Sequence, residues 1–146
     1  RYQNRSLTDG RNSPLVTDDP SAGIQITLKA VPGKMIYDQD TLWVRAGERV
    51  VIRFENDDNM AHNVVVINPG TLEEIGRMAD QLAAGGEGYD RQFIPESDNV
   101  LYYTPLVNAG ENYELEFTAP SQAGAYPFVC TFPGHWTMMQ GVLIVN

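Results

Sequence analysis

The chain holds one cysteine and two histidines among 146 residues, and ten basic residues against nineteen acidic ones. A single cysteine excludes an intramolecular disulfide, so cysteine usage is silent about the redox compartment. A net charge of −9 and a pI near 4.5 leave too little positive charge to neutralise a row of phosphates. Nucleic acid is thereby excluded as a partner, and anionic membrane surfaces are disfavoured. No apolar run approaches the roughly 18 residues that span a bilayer; the longest, 64–67 and 142–145, are strand-sized. The first residue is Arg1 rather than Met. The expectation is a processed chain that has lost a targeting segment and lies outside the cytoplasm, where whatever preceded Arg1 could tether it.

What is present is a globular balance, 42% apolar and 20% charged. A chain this long makes one domain that buries roughly two-thirds of its unfolded surface. Residues 1–23 scatter Pro, Gly, Ser, Asn and Asp with no periodic apolar face, which reads as a flexible tail or linker ahead of a domain over 24–146. From Ile24 the pattern alternates with period two, through Ile24, Ile26 and Leu28, then Leu42 and Val44, then Val50, Ile52 and Phe54. Further strands are predicted at 62–67, 100–104, 113–117, 126–130 and 141–145. Seven or eight short strands separated by turns predict an all-β Greek-key sandwich or barrel. Pro127, inside one of them, predicts an edge position or a bulge. One segment departs from this pattern. Thr71 and Glu74 form a capping-box signature, and Leu72, Ile75, Met78, Ala79 and Leu82 recur at helical spacing until Gly85-Gly86. A helix over about 71–84 is predicted, inserted between strands.

The chemistry gathers near the C-terminal end, in Cys130-Thr131-Phe132-Pro133-Gly134-His135-Trp136-Thr137-Met138-Met139-Gln140-Gly141. Thiolate, imidazole and thioether are offered within ten residues, between two predicted strands. The second imidazole, His62, opens another strand. Two imidazole nitrogens and a cysteine sulfur in one plane, with a weak axial thioether, describe a blue-copper electron-transfer site. Soft sulfur suits Cu(I) and imidazole suits Cu(II), so a mixed set compromises between the two states. Singly, each residue has a plainer role, since a lone cysteine is usually a small buried hydrophobe and methionines fill core gaps. With 2 His and 5 Met in 146 residues, a His and a Met at these two offsets from the only Cys is about a one-in-two-thousand coincidence.

The run CTFPGH, followed by three residues, Met and Gln-Gly, closely resembles the copper loop of the azurins. The fuller string CTFPGHWTMMQG is similar to that of the auracyanins, membrane-associated blue-copper proteins of filamentous photosynthetic bacteria. The likeness spans 24–146 and includes MAHN around His62, the inserted helix and VLYYTPLVNAGE. It implies a cupredoxin fold and one copper ion, with His62, Cys130 and His135 equatorial and Met139 axial. A loop one residue shorter, as in plastocyanin-like patterns, would bring Met138 into competition. It further implies that Asn63 ties the two ligand loops, that the Phe132 N–H donates to the cysteine sulfur, and that the Ala61 carbonyl stands on the far axial side. The edge of His135 is expected to pierce the surface within an apolar docking patch of Met60, Ala61, Phe132, Pro133, Trp136 and Thr137. The implied function is that of a monomeric one-electron carrier, not an enzyme. Its expected donor is a quinol-oxidising complex, and its expected acceptor is the cytochrome c of a reaction centre or oxidase.

Other functions fit less well. A Cys/His nucleophile five residues apart on a tight loop lacks an oxyanion hole or an orienting third group. A copper reductase needs a second metal, and no histidine is spare. A storage or delivery module remains the alternative, although it favours paired, exchangeable thiols. A zinc site would gain nothing from an axial methionine.

Overall fold

A computed structural model describes residues 23–146. The tail expected over 1–23 therefore lies, but for Gly23, outside the described residues. Eight strands and one helix follow in the order β1 (Ile24–Ala30), β2 (Thr41–Val44), β3 (Arg49–Asn56), β4 (Val65–Ile67), α1 (Leu72–Ala84), β5 (Val100–Tyr103), β6 (Asn112–Thr118), β7 (Gly124–Val129) and β8 (Gln140–Val145). They form a three-stranded sheet, β1-β3-β6, and a five-stranded sheet, β2-β8-β7-β4-β5. β1 runs parallel to β3 and β2 parallel to β8, whereas the remaining pairs are antiparallel.

Alternation along the strands builds the core between the sheets. Leu28, Ile52, Phe54, Leu115 and Phe117 point inward from the first sheet, and Val66, Phe128, Leu143 and Val145 from the second. The run Val64-Val65-Val66-Ile67 is apolar at every position because β4 is covered on both faces. Val66 enters the sandwich core, while Val65 and Ile67 join Val129 under Ile75 of α1. Helix α1 thus lies on the outer face of the larger sheet.

Two local expectations need correction. Thr71 precedes the helix, but its side chain does not cap it; the hydroxyl donates back to the Asn68 carbonyl at 2.7 Å. Glu74 instead accepts from the Asn99 amide at 3.1 Å. Pro127 is in an internal strand, not an edge one. β4 pairs with β7 only at Phe128 and Val129, so the ladder stops before the residue that lacks an N–H. A register shift at Val66/Ile67 marks the same place on the β4–β5 side.

Candidate metal centre

The His62 segment is fixed by backbone and amide bonds before any metal is considered. His62 exchanges two backbone hydrogen bonds with Val107, at 3.1 and 2.8 Å. The preceding turn is held by Asn56, whose Nδ2 donates to the Met60 carbonyl at 2.7 Å and the Val107 carbonyl at 2.8 Å. Next in the chain, buried Asn63 reaches across to the other ligand-bearing segment. Its Nδ2 donates to Thr131 Oγ1 at 2.9 Å, and its Oδ1 accepts from the Thr131 N–H at 2.8 Å. Tyr37, wedged edge-on against Phe54 and Phe128, donates its hydroxyl to the Asn63 carbonyl at 2.7 Å.

The Cys130–Met139 loop follows from its sequence. Pro133 presets one backbone angle and Gly134 supplies φ +81°, the left-handed value that the third position of a type II turn requires. The turn closes with the His135 N–H donating to the Phe132 carbonyl at 3.0 Å. A second turn brings the Met139 N–H to the His135 carbonyl at 2.8 Å, and the Cys130 N–H donates to the Met139 carbonyl at 3.0 Å. The two ends of the loop therefore stand side by side.

Three potential ligand atoms converge here. Cys130 Sγ is 3.8 Å from His62 Nδ1 and 3.5 Å from His135 Nδ1, and all three atoms lie within 4.8 Å of one another. A metal bound at about 2.1 Å to nitrogen and about 2.3 Å to sulfur, in a trigonal plane, would hold those atoms about 3.8 Å apart. The observed separations match, so the residues fit the metal without rearrangement. Cys130, His62, His135 and Met139 are all shut away from solvent, and Met138 is 60% exposed.

Burial sets the charge of these groups. Burial pushes the Cys130 thiol up to about 11, against the pull of the Asn63 and Phe132 N–H groups that donate to its sulfur. Burial, followed by repulsion from His62, pushes His135 down to about 4, while Asp58 acts the other way. Both groups are neutral near pH 7, and a metal binding there displaces the thiol proton. His135 Nε2 is buried without a hydrogen-bond partner.

The surroundings of His135 differ from the expectation. Its ring is 1% exposed and does not reach the surface. Phe132 lies against it, with ring centroids 5.1 Å apart, and is itself backed by Phe93 and Tyr89. Phe93 and Tyr89 come from the segment after α1, where consecutive Gln92 and Phe93 both take φ +56°. That unfavourable pair is held by the Leu106 N–H donating to Gln92 Oε1 at 2.9 Å and by Asn63 Nδ2 reaching the Gln92 carbonyl at 3.3 Å. Trp136 also turns inward. It is half-buried over Gly76 of α1, and its Nε1 donates to Asp80 Oδ1 at 3.1 Å. Met60 and Thr137 are exposed, and Ala61, Phe132 and Pro133 half-buried.

Sequence reasoning missed one partner. His62 Nε2 lies 2.8 Å from Oδ2 of Asp58, a buried carboxylate. The available signal was an acidic residue four positions before a ligand histidine. The aromatic cover from Tyr89 and Phe93 had no such signal.

The family model that describes copper-binding proteins of the plastocyanin/azurin family matches residues 24–146. The chain belongs to that family. Auracyanin-A of Chloroflexus aurantiacus is 34% identical over 128 residues, covering 86% of this chain and 76% of that protein. Auracyanin-B of the same bacterium is 31% identical over 148 residues, 95% of this chain and 60% of that protein. An azurin from Pseudomonas putida is 33% identical over 90 residues, 60% of this chain and 66% of the azurin. Among solved structures, the blue copper protein auracyanin A superposes with a TM-score of 0.77 at 34% identity, covering 84% of this chain and 98% of that one. The fold is thus that of the cupredoxins, and His62, Cys130, His135 and Met139 form the family's blue-copper site. Cupredoxins are electron carriers. No helix among the described residues is long and apolar enough to cross a membrane.

Proposed function

We propose that this chain is a one-electron carrier that shuttles between two redox proteins outside the cytoplasm, in a photosynthetic or respiratory chain. The observation that carries the reading is the spacing of Cys130 Sγ from the two imidazoles, 3.5 and 3.8 Å, with all three side chains and Met139 buried. Bound copper supplies the Cu(II)/Cu(I) couple. His62, Cys130, His135 and Met139 would hold the ion, the two imidazoles suiting Cu(II) and the two sulfurs Cu(I). The Asn63–Thr131 bonds keep the two ligand-bearing segments in register, so little has to move when an electron arrives. The N–H groups of Asn63 and Phe132 draw charge from the sulfur.

In this proposal the donor is a quinol-oxidising complex and the acceptor a cytochrome c of a reaction centre or oxidase; a relative that is a blue copper protein from a photosynthetic bacterium supports the photosynthetic setting alone. The docking surface is assigned to Met60, Ala61, Phe132, Pro133 and Thr137, with Phe132 bridging the surface and the covered ring of His135. A net charge of −9 would steer basic partners at low salt. Storage or delivery is disfavoured because every ligand is buried, which opposes rapid metal exchange. Copper loading followed by absorption spectroscopy and voltammetry tests the proposal. An intense blue colour that bleaches on reduction, with a reversible one-electron wave, is expected; a colourless Cu(II) protein or an irreversible wave would overturn it.

A further inference from the structure

Asp58 occupies an unusual position for a carboxylate. It is 5% exposed, and it sits one imidazole away from where the metal binds. Oδ1 accepts the Gly33 N–H at 3.0 Å, and its own backbone N–H donates to Asn56 Oδ1 at 3.0 Å. Oδ2 lies 2.8 Å from His62 Nε2. Among the described residues, His62 is the group within ion-pairing distance of it.

The hydrogen bonds decide its charge. With His62 ligating through Nδ1, the ring proton must sit on Nε2, so Oδ2 accepts. Oδ1 faces an N–H and also accepts. Both oxygens therefore accept, the arrangement that favours the carboxylate form. We propose that Asp58 is a positioning residue for copper-linked electron transfer, its fixed negative charge stabilising Cu(II) over Cu(I) and lowering the reduction potential, while its bond to Nε2 sets the tautomer and orientation of His62. The inference rests on the electron-carrier reading and adds a determinant of its driving force. On reduction, one electron arrives from the partner protein, and the Nε2 proton remains between His62 and Asp58.

A backbone carbonyl in the same place could hold the ring equally well but would bring no net charge. That distinction makes the proposal testable. Asp58→Asn keeps the size and removes the charge. In the copper-loaded protein, the Cu(I)/Cu(II) affinity ratio should rise at least tenfold, which is 59 mV for a one-electron couple, with the blue absorption retained. A ratio within threefold of the parent would overturn the role assigned to the charge. Should the variant fail to fold, NMR of the unsubstituted protein loaded with Cu(I) decides. A slowly exchanging Nε2 proton on His62 and an ionised Asp58 13Cγ shift at pH 7 support the proposal, and a protonated carboxyl or a freely exchanging ring overturns it. If the unsubstituted protein lacks a reversible wave, the carrier reading fails first, and the two failures are thereby distinguishable.

Discussion

Replacing Asn63 with alanine should unfasten the two halves of the site. The amide makes two buried bonds to Thr131, at 2.9 Å through Nδ2 and 2.8 Å through Oδ1. Truncation strands the Thr131 N–H in a dry interior, which costs about 1–3 kcal/mol, and forfeits the bond to the hydroxyl, worth about 1 kcal/mol. The expected loss is therefore about 2–4 kcal/mol, a large share of the roughly 5–15 kcal/mol that holds a domain folded. Thr131→Val provides the graded comparison. It removes the acceptor of one Asn63 Nδ2 proton but keeps the bond from the Thr131 N–H, and should cost about 1–3 kcal/mol, less than the loss of both bonds. Urea unfolding of the copper-free protein at pH 7, with unchanged m-value, measures both. An Asn63→Ala protein within about 1 kcal/mol of the parent would show that the fold holds the loops together without this amide, and the reasoning would fail.

Three other outcomes follow from the same geometry. His135 is held near 4 when folded against 6.5 unfolded, so the copper-free protein should be fully stable above about pH 6.5 and lose up to about 3 kcal/mol as pH falls toward 4. The contribution of Asp58, whose carboxyl is held low chiefly by the Gly33 N–H, persists through that window; a urea midpoint that stays level from pH 7 to 4.5 would refute the assignment to His135. Met138→Leu should leave the copper spectrum and potential alone and change stability by less than about 0.5 kcal/mol, whereas Met139→Leu should shift the potential; voltammetry showing the reverse would make Met138 the ligand. In Gly76→Ala the added methyl would stand 2.2 Å from the Trp136 indole, and overpacking of about 1–3 kcal/mol should outweigh a helix gain of about 1 kcal/mol. A red shift of tryptophan emission should accompany the loss, and a more stable variant with unchanged emission would refute it.

The strands were readable because alternation such as Ile24/Ile26/Leu28 reports a half-buried sheet directly, and α1 because Leu72, Ile75 and Ala79 recur at its own period. The ligand loop was readable for a different reason, since its donor atoms are rare in this chain and crowd into ten residues. What escaped depends on contacts between distant segments. Nothing near His135 announces that Phe132, braced by Phe93 and Tyr89 some forty residues upstream, would cover its ring. Trp136 looked like a docking residue until α1 offered Gly76, the residue type without a Cβ, as the floor beneath it. The hydroxyl of Thr71 had two nearby backbone partners to choose from, and sequence spacing favoured the one it does not use.

The placement of β8 between β2 and β7 has a temporal meaning. Thr41 pairs with Val142, about a hundred positions later in the chain, so the larger sheet stays split during synthesis until its last strand has emerged. Cys130 and His135 belong to the connection leading into that strand, which makes the mouth that grips the ion one of the final parts to take shape. Contacts this remote in sequence close slowly. A nascent chain thus offers the cell a thiol before it offers a cage, and metal arriving early would meet loose ligands rather than a finished seat.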